Sequence, residues 1–239
     1  MLFKSKPVLV LLPGMDGTGD LFDDFVAEVK DTFEIQVVRY PTHKSLDYAE
    51  LEALVIQVLP TDVDYVLLGE SFSGPIAISI ASKNPPRLKG LVLCCTFVDN
   101  PRPALSSVRH LLPFFSTRYA PGAAMGYLLM GSFSTPSQRQ ALATAVAKVP
   151  DATMRSRARA VLDVLVSKEM ARIQVPTLYL RATHDRVVPR SASVKIFQLL
   201  PKVEIVDVDA PHCLLQTAAP QAAKMVVDFV QSKVLMPRA

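Results

Sequence analysis

The chain has 239 residues, half of them apolar and a fifth charged, the balance of a globular protein with one substantial core rather than two. Its 26 basic and 22 acidic side chains leave a mild net charge of +4, and no nucleic-acid partner is expected. Three cysteines, Cys94 and Cys95 adjacent and Cys213 apart, leave at least one thiol unpaired, which speaks against a disulfide framework and for a reducing compartment.

Met1 to Pro7 lead almost directly into a first apolar run at 8–12, too short for a signal-peptide core and without a small-residue cleavage site. Further short runs rich in Leu and β-branched residues follow at 35–39, 65–68, 88–95, 177–181 and 203–208. Most are nearly continuous in apolar character, as in strands buried on both faces of a parallel sheet. Helical periodicity fills the intervals at 20–30, 48–58, 72–83, 192–200 and 220–233. The alternation predicts an α/β fold, an open parallel sheet of about six strands with right-handed crossovers and helices on both faces.

One interval breaks the alternation. Residues 97–173 show helical patterns punctuated by prolines from Pro101 to Pro150 and no convincing strand. They are read as a helical cap inserted into a core domain made of 1–96 and 174–239. The longest candidate membrane span, 111–130, is broken by Pro113, Arg118 and Pro121, so no stable membrane insertion and a cytoplasmic location are expected. From Phe97 to Arg172 there are ten basic residues against four acidic ones. Such a segment attracts anionic substrates, an acidic partner or a lipid surface; the plainer reading is a solvated helix face.

The strongest local signal is Gly69-Glu70-Ser71-Phe72-Ser73-Gly74, placed between a predicted strand and a predicted helix. A tight strand-to-helix turn holds a serine in a strained conformation with its hydroxyl exposed, and the residues two before and two after must be small. Gly69 and Ser73 meet that demand around Ser71, and Pro75 fits the first helical turn. Ser73 is the rival nucleophile, but the ring of Pro75 would then occupy its own plus-two position. A serine hydroxyl needs a base within hydrogen-bond reach. Of the four histidines, His212 follows the last strand and Asp185 follows the strand before it. Ser71, Asp185 and His212 therefore share the carboxyl edge of the sheet, where open parallel sheets bind ligands. Asp99 is the alternative acid, and Asp207 and Asp209 suit local hydrogen bonding. The backbone N–H groups of Phe72, directly after the nucleophile, and of Met15, in the loop after the first strand, are the candidate oxyanion donors. Gly14, Gly17 and Gly19 do not fit a dinucleotide-binding spacing, because Phe22 takes the last position.

With these motifs in place the chain resembles the α/β-hydrolases over almost its whole length. It is most similar to small capped members such as pimeloyl-ester carboxylesterases and menaquinone-pathway synthase-like hydrolases. Leu12-Pro-Gly-Met-Asp-Gly-Thr-Gly19 also resembles the hydrolase-like part of plant phytyl ester synthases. Two departures stand out: Pro13-Gly14 replaces the usual His-Gly, and the family's two leading antiparallel strands are expected to be missing. The implied function is a carboxylic ester hydrolase that works through a Ser71-His212-Asp185 triad and an acyl-enzyme. Its partner would be a small-molecule ester with a short or medium acyl chain; no cofactor and no metal are expected. Phe114, Met125, Leu128 and Leu129 are candidates to line the acyl pocket, with packing of the cap as their alternative role. A thioesterase, acyltransferase or carbon–carbon bond hydrolase would use the same machinery, and a non-catalytic binding protein with this fold is the reading from another class.

Overall fold

The computed structural model describes residues 6–110 and 122–235. Six of the apolar runs form strands: β1 (Val8–Leu12), β2 (Glu34–Val37), β3 (Tyr65–Glu70), β4 (Leu88–Cys94), β5 (Thr177–Ala182) and β6 (Glu204–Val208). They pair in the order β2-β1-β3-β4-β5-β6, and every pairing is parallel. Leading antiparallel strands are absent from this sheet among the described residues.

Alternation along the strands explains why the sequence reads as unbroken apolar runs. Val8, Val10, Leu12, Tyr65, Leu67, Leu91 and Leu93 face one layer of helices. Leu9, Leu11, Val66, Leu68, Val92 and Cys94 face the other. Successive side chains point to opposite faces, so two covered faces require apolar residues at every position. Each fully buried Leu or Val contributes about 1.5–3 kcal/mol.

Helices α1 (Asp23–Val29), α9 (Leu214–Thr217) and α10 (Ala219–Phe229) cover one face. Helices α2 (Tyr48–Val58), α3 (Gly74–Ser82), α7 (Ser167–Met170) and α8 (Arg190–Leu199) cover the other. Asp47 starts α2 with a capping box: its carboxylate accepts from the Glu50 N–H while the Glu50 carboxylate accepts from the Asp47 N–H. The predicted helix at 20–30 opens as a 3-10 turn over Asp20–Phe22 before α1. The one predicted at 220–233 gives way at Val230 to a π-helical turn.

Between β4 and β5 lie a 3-10 segment (Pro103–His110) and helices α4 (Gly122–Met130), α5 (Pro136–Ala147), α6 (Asp151–Asp163) and α7. The single strand-like feature among the described residues there is an isolated bridge between Asp99 and Leu165. No described helix is long and apolar enough to cross a membrane.

Candidate active site

β3 ends at Glu70, and the chain turns at once into a 3-10 turn (Ser71–Ser73) and α3. So short a reversal puts Ser71 into the left-handed region, at φ 48°, where a non-glycine residue costs about 1–3 kcal/mol. The surroundings fix it there. A Cβ on Gly69 would stand 2.8 Å from Cβ of Ala77, and one on Gly74 would stand 1.9 Å from Oγ1 of Thr96. Strand, helix and the loop after β4 therefore converge on bare backbone. The Thr96 hydroxyl donates to the Ser71 carbonyl at 2.6 Å. Tyr179 on β5 accepts from the Thr96 N–H at 3.1 Å and donates to the Thr96 carbonyl at 2.8 Å.

Pairing of β5 and β6 continues past their ends. The Thr183 N–H donates to the Val208 carbonyl and the His184 N–H to that of Ala210, both at 3.0 Å. The two loops run side by side as a result, and the next side chains meet. His212 Nδ1 lies 2.8 Å from Asp185 Oδ2, and Nε2 lies 2.8 Å from Ser71 Oγ. An ionised carboxylate only accepts, so in the neutral ring Nδ1 carries the proton and Nε2 is free to accept one. The other Asp185 oxygen accepts from the N–H groups of Val187 and Val188, both at 2.8 Å. With 7% and 6% of their side-chain surfaces exposed, His212 and Asp185 interact where water screens little.

The loop after β1 closes the group. The Gly17 N–H donates to the Gly14 carbonyl at 3.0 Å. The Ser73 hydroxyl donates to the Pro13 carbonyl and lies 2.7 Å from the Tyr40 hydroxyl. From α6, the buried Arg157 donates to the carbonyls of Met15 at 2.8 Å, Asp16 at 2.7 Å and Pro41 at 3.1 Å. Its guanidinium lies over the Tyr40 ring. Burial lowers the Arg157 pKa, opposed by the nearby Asp16 and Tyr40. Beneath the loop, burial pushes the Glu70 carboxyl up to about 7; Gln216, donating at 3.0 Å, draws it down and the Asp16 carboxylate raises it again.

The family model described as serine aminopeptidase, S33 (Hydrolase_4) matches residues 13–210, from the loop after β1 to the loop before His212. The chain belongs to this family. Two curated relatives, the pimeloyl-[acyl-carrier protein] methyl ester esterases of Neisseria meningitidis serogroups A and C, are each 24% identical over 95% of this chain, covering 79% and 96% of their own lengths. Among solved structures, an enol-lactonase from Burkholderia xenovorans superposes with a TM-score of 0.83 at 18% identity, covering 97% of this chain and 94% of the other. A thermophilic esterase from Thermogutta terrifontis gives 0.82 at 17%, covering 96% and 91%. These likenesses fix the α/β-hydrolase fold.

Within this S33 member, the competing side chains have other partners. Ser73 is buried and bonded to the first loop as described. Asp99 pairs with Lys195, Asp207 with Arg181, and Asp209 with His184 at 2.8 Å. His43 is exposed. Phe72 is buried with its ring stacked on Tyr48 at 4.9 Å, and Met15 packs partly buried against the core. Leu129 packs beside Met130, Leu142 and Cys213, and its carbonyl accepts from the Cys213 N–H at 2.9 Å, which seats α4 next to His212. Met125 is half-buried and Leu128 largely exposed; Phe114 lies outside the described residues. Cys95, Asp185 and His212 place donor atoms within 4.8 Å of one another. They form the one described group close enough to share a metal ion, and two of its members already share a hydrogen bond.

Sequence reasoning missed Arg157, Glu70 and Gln216. The signal for Arg157 was present: in α6 it shares a face with the buried Thr153 and Met154 and the partly buried Ala160 and Val161, so it corrects the expectation of a solvated basic face at that position.

Proposed function

We propose that the chain is a serine carboxylic ester hydrolase, with Ser71 as nucleophile, His212 as base and Asp185 as its orienting acid. The observation that carries the reading is the unbroken relay from Ser71 Oγ through both nitrogens of His212 to Asp185, with 2.8 Å at each step. His212 Nε2 takes the Ser71 proton as Oγ attacks the ester carbonyl, and the imidazolium is stabilised by the Asp185 carboxylate. The amides of Met15 and Phe72 receive the oxyanion. Collapse expels the alcohol, protonated by His212. Water then attacks the acyl-enzyme with the same base, releasing the acid and restoring Ser71.

The described helices between β4 and β5 serve in this reading as a cap over the carboxyl edge, with Met125, Leu128 and Leu129 towards the acyl group. The family's description names aminopeptidases, and the same relay cleaves amides; the names of both Neisseria relatives favour esters. Methyl and other small alkyl esters of short or medium acyl chains are the substrate class to try first. Hydrolysis of p-nitrophenyl acetate, butyrate and octanoate by wild type and Ser71→Ala tests this directly. The expected loss in kcat is on the order of 10⁴-fold or more; an active Ser71→Ala variant contradicts the assignment.

A further inference from the structure

Arg157 is an ionised group in the protein interior, and among the described residues it has no direct ion pair. The Asp16 carboxylate, its nearest counter-charge by effect, is itself engaged by the N–H and hydroxyl of Thr18. A buried arginine that spends its donors on backbone carbonyls is an expensive way to hold a loop. Its three acceptors, the carbonyls of Met15, Asp16 and Pro41, lie in the loops after β1 and β2, and two of them directly follow the amide assigned to the oxyanion.

We infer that Arg157 is the positioning residue of the oxyanion hole, an inference that rests on the ester-hydrolase reading above. The Met15 N–H and the Gly14 carbonyl belong to one rigid peptide unit. The Gly17 N–H pins that unit through the Gly14 carbonyl, which requires the turn Gly14–Gly17 to stay closed. Arg157 closes it from behind by gripping the next two carbonyls with one nitrogen. Contact is tight: Gly17 sits at φ 69°, and a Cβ there would come within 2.6 Å of the guanidinium. On the far side the Gly17 carbonyl accepts from the Tyr40 N–H at 2.8 Å, and the Tyr40 hydroxyl meets Ser73 in the turn that carries Phe72 and its N–H. One guanidinium thus ties both oxyanion donors into a single frame. Because it comes from α6, the inserted helices complete the chemistry as well as covering it. Lysine offers a single point of donation and cannot reproduce this fork.

The test compares wild type, Arg157→Lys and Arg157→Met for p-nitrophenyl butyrate hydrolysis and for inhibition by butylboronic acid, whose tetrahedral serine adduct places an oxygen in the oxyanion hole. Ser71→Ala is run beside them. Arg157→Met is expected to lose about 10²-fold in kcat, the scale of a displaced or missing oxyanion donor, with KM within about twofold. Its boronate Ki should rise by a similar factor, and Arg157→Lys should fall between. The Lys variant keeps the buried cation and guards against a misfolded Met variant. Boronate affinity and kcat unchanged in folded Arg157→Lys and Arg157→Met, with Ser71→Ala inactive, overturns the positioning role and leaves the ester-hydrolase reading intact. Full activity in Ser71→Ala overturns that reading and the positioning role together.

Discussion

Glu70, directly before Ser71, is a carboxyl in a place that disfavours its charge. Burial and the neighbouring Asp16 outweigh the hydrogen bond from Gln216, and its pKa stands at about 7 against an ordinary 4.5. Between those values the native state keeps a proton that the unfolded chain has lost. Stability therefore falls as pH rises from about 4.5 to about 7 and stays reduced above it. The span corresponds to a contribution on the order of 3 kcal/mol. Glu70→Gln, which mimics the protonated form, is expected to remove this slope: in urea unfolding at pH 5 and pH 8, wild type should lose roughly 2–3 kcal/mol more than the variant. Equal slopes would mean that Glu70 is ionised across the range or that another group sets the pH dependence.

At the scale of elements, the unit that matters is β3, the turn at Ser71 and α3, clamped by the loop after β4. Gly69, Ser71 and Pro75 were legible in the sequence because a strand-to-helix reversal places residue-type demands within a few positions. The partner of Gly74 was not legible. Thr96 is 22 residues away and meets Gly74 because β3 and β4 pair in register, Glu70 opposite Cys94. Gly74→Ala would drive a methyl group into the Thr96 side chain, an overpacked contact costing about 1–3 kcal/mol, or a fall in Tm of several degrees for a chain of this size. Since Thr96 also holds the Ser71 carbonyl, esterase activity should drop in the folded variant. An unchanged melting curve would contradict the tight approach.

Across the whole molecule, a sheet that runs in one direction gathers the carboxyl ends of β3, β5 and β6 on one edge, so Ser71 meets Asp185 and His212 although it lies more than a hundred positions before either. The number of strands and their parallel run, which are read from apolar periodicity and turn residues, are local features of the sequence, and among the described residues no strand lies between β4 and β5. What stayed hidden depends on burial at long range: Arg157 reads as one more basic residue until α6 is seen to lie against the first loop. The basic character of 97–172 has the same explanation in part. Arg102 donates to the carbonyls of Arg186 and Val187, Lys148 pairs with Asp20 at 2.6 Å, and Arg157 grips the loop after β1. These charges fasten the segment between β4 and β5 to the loops around the sheet.

Fluorophosphonate labelling with peptide mass mapping probes Ser71 as the nucleophile itself, because the reagent reacts only where a serine, a base and an oxyanion site work together. One adduct per chain is expected, on the peptide carrying Ser71 and at that residue, absent from Ser71→Ala and slowed by orders of magnitude in His212→Ala. An adduct on Ser73, or a folded wild-type protein that stays unlabelled, would contradict it.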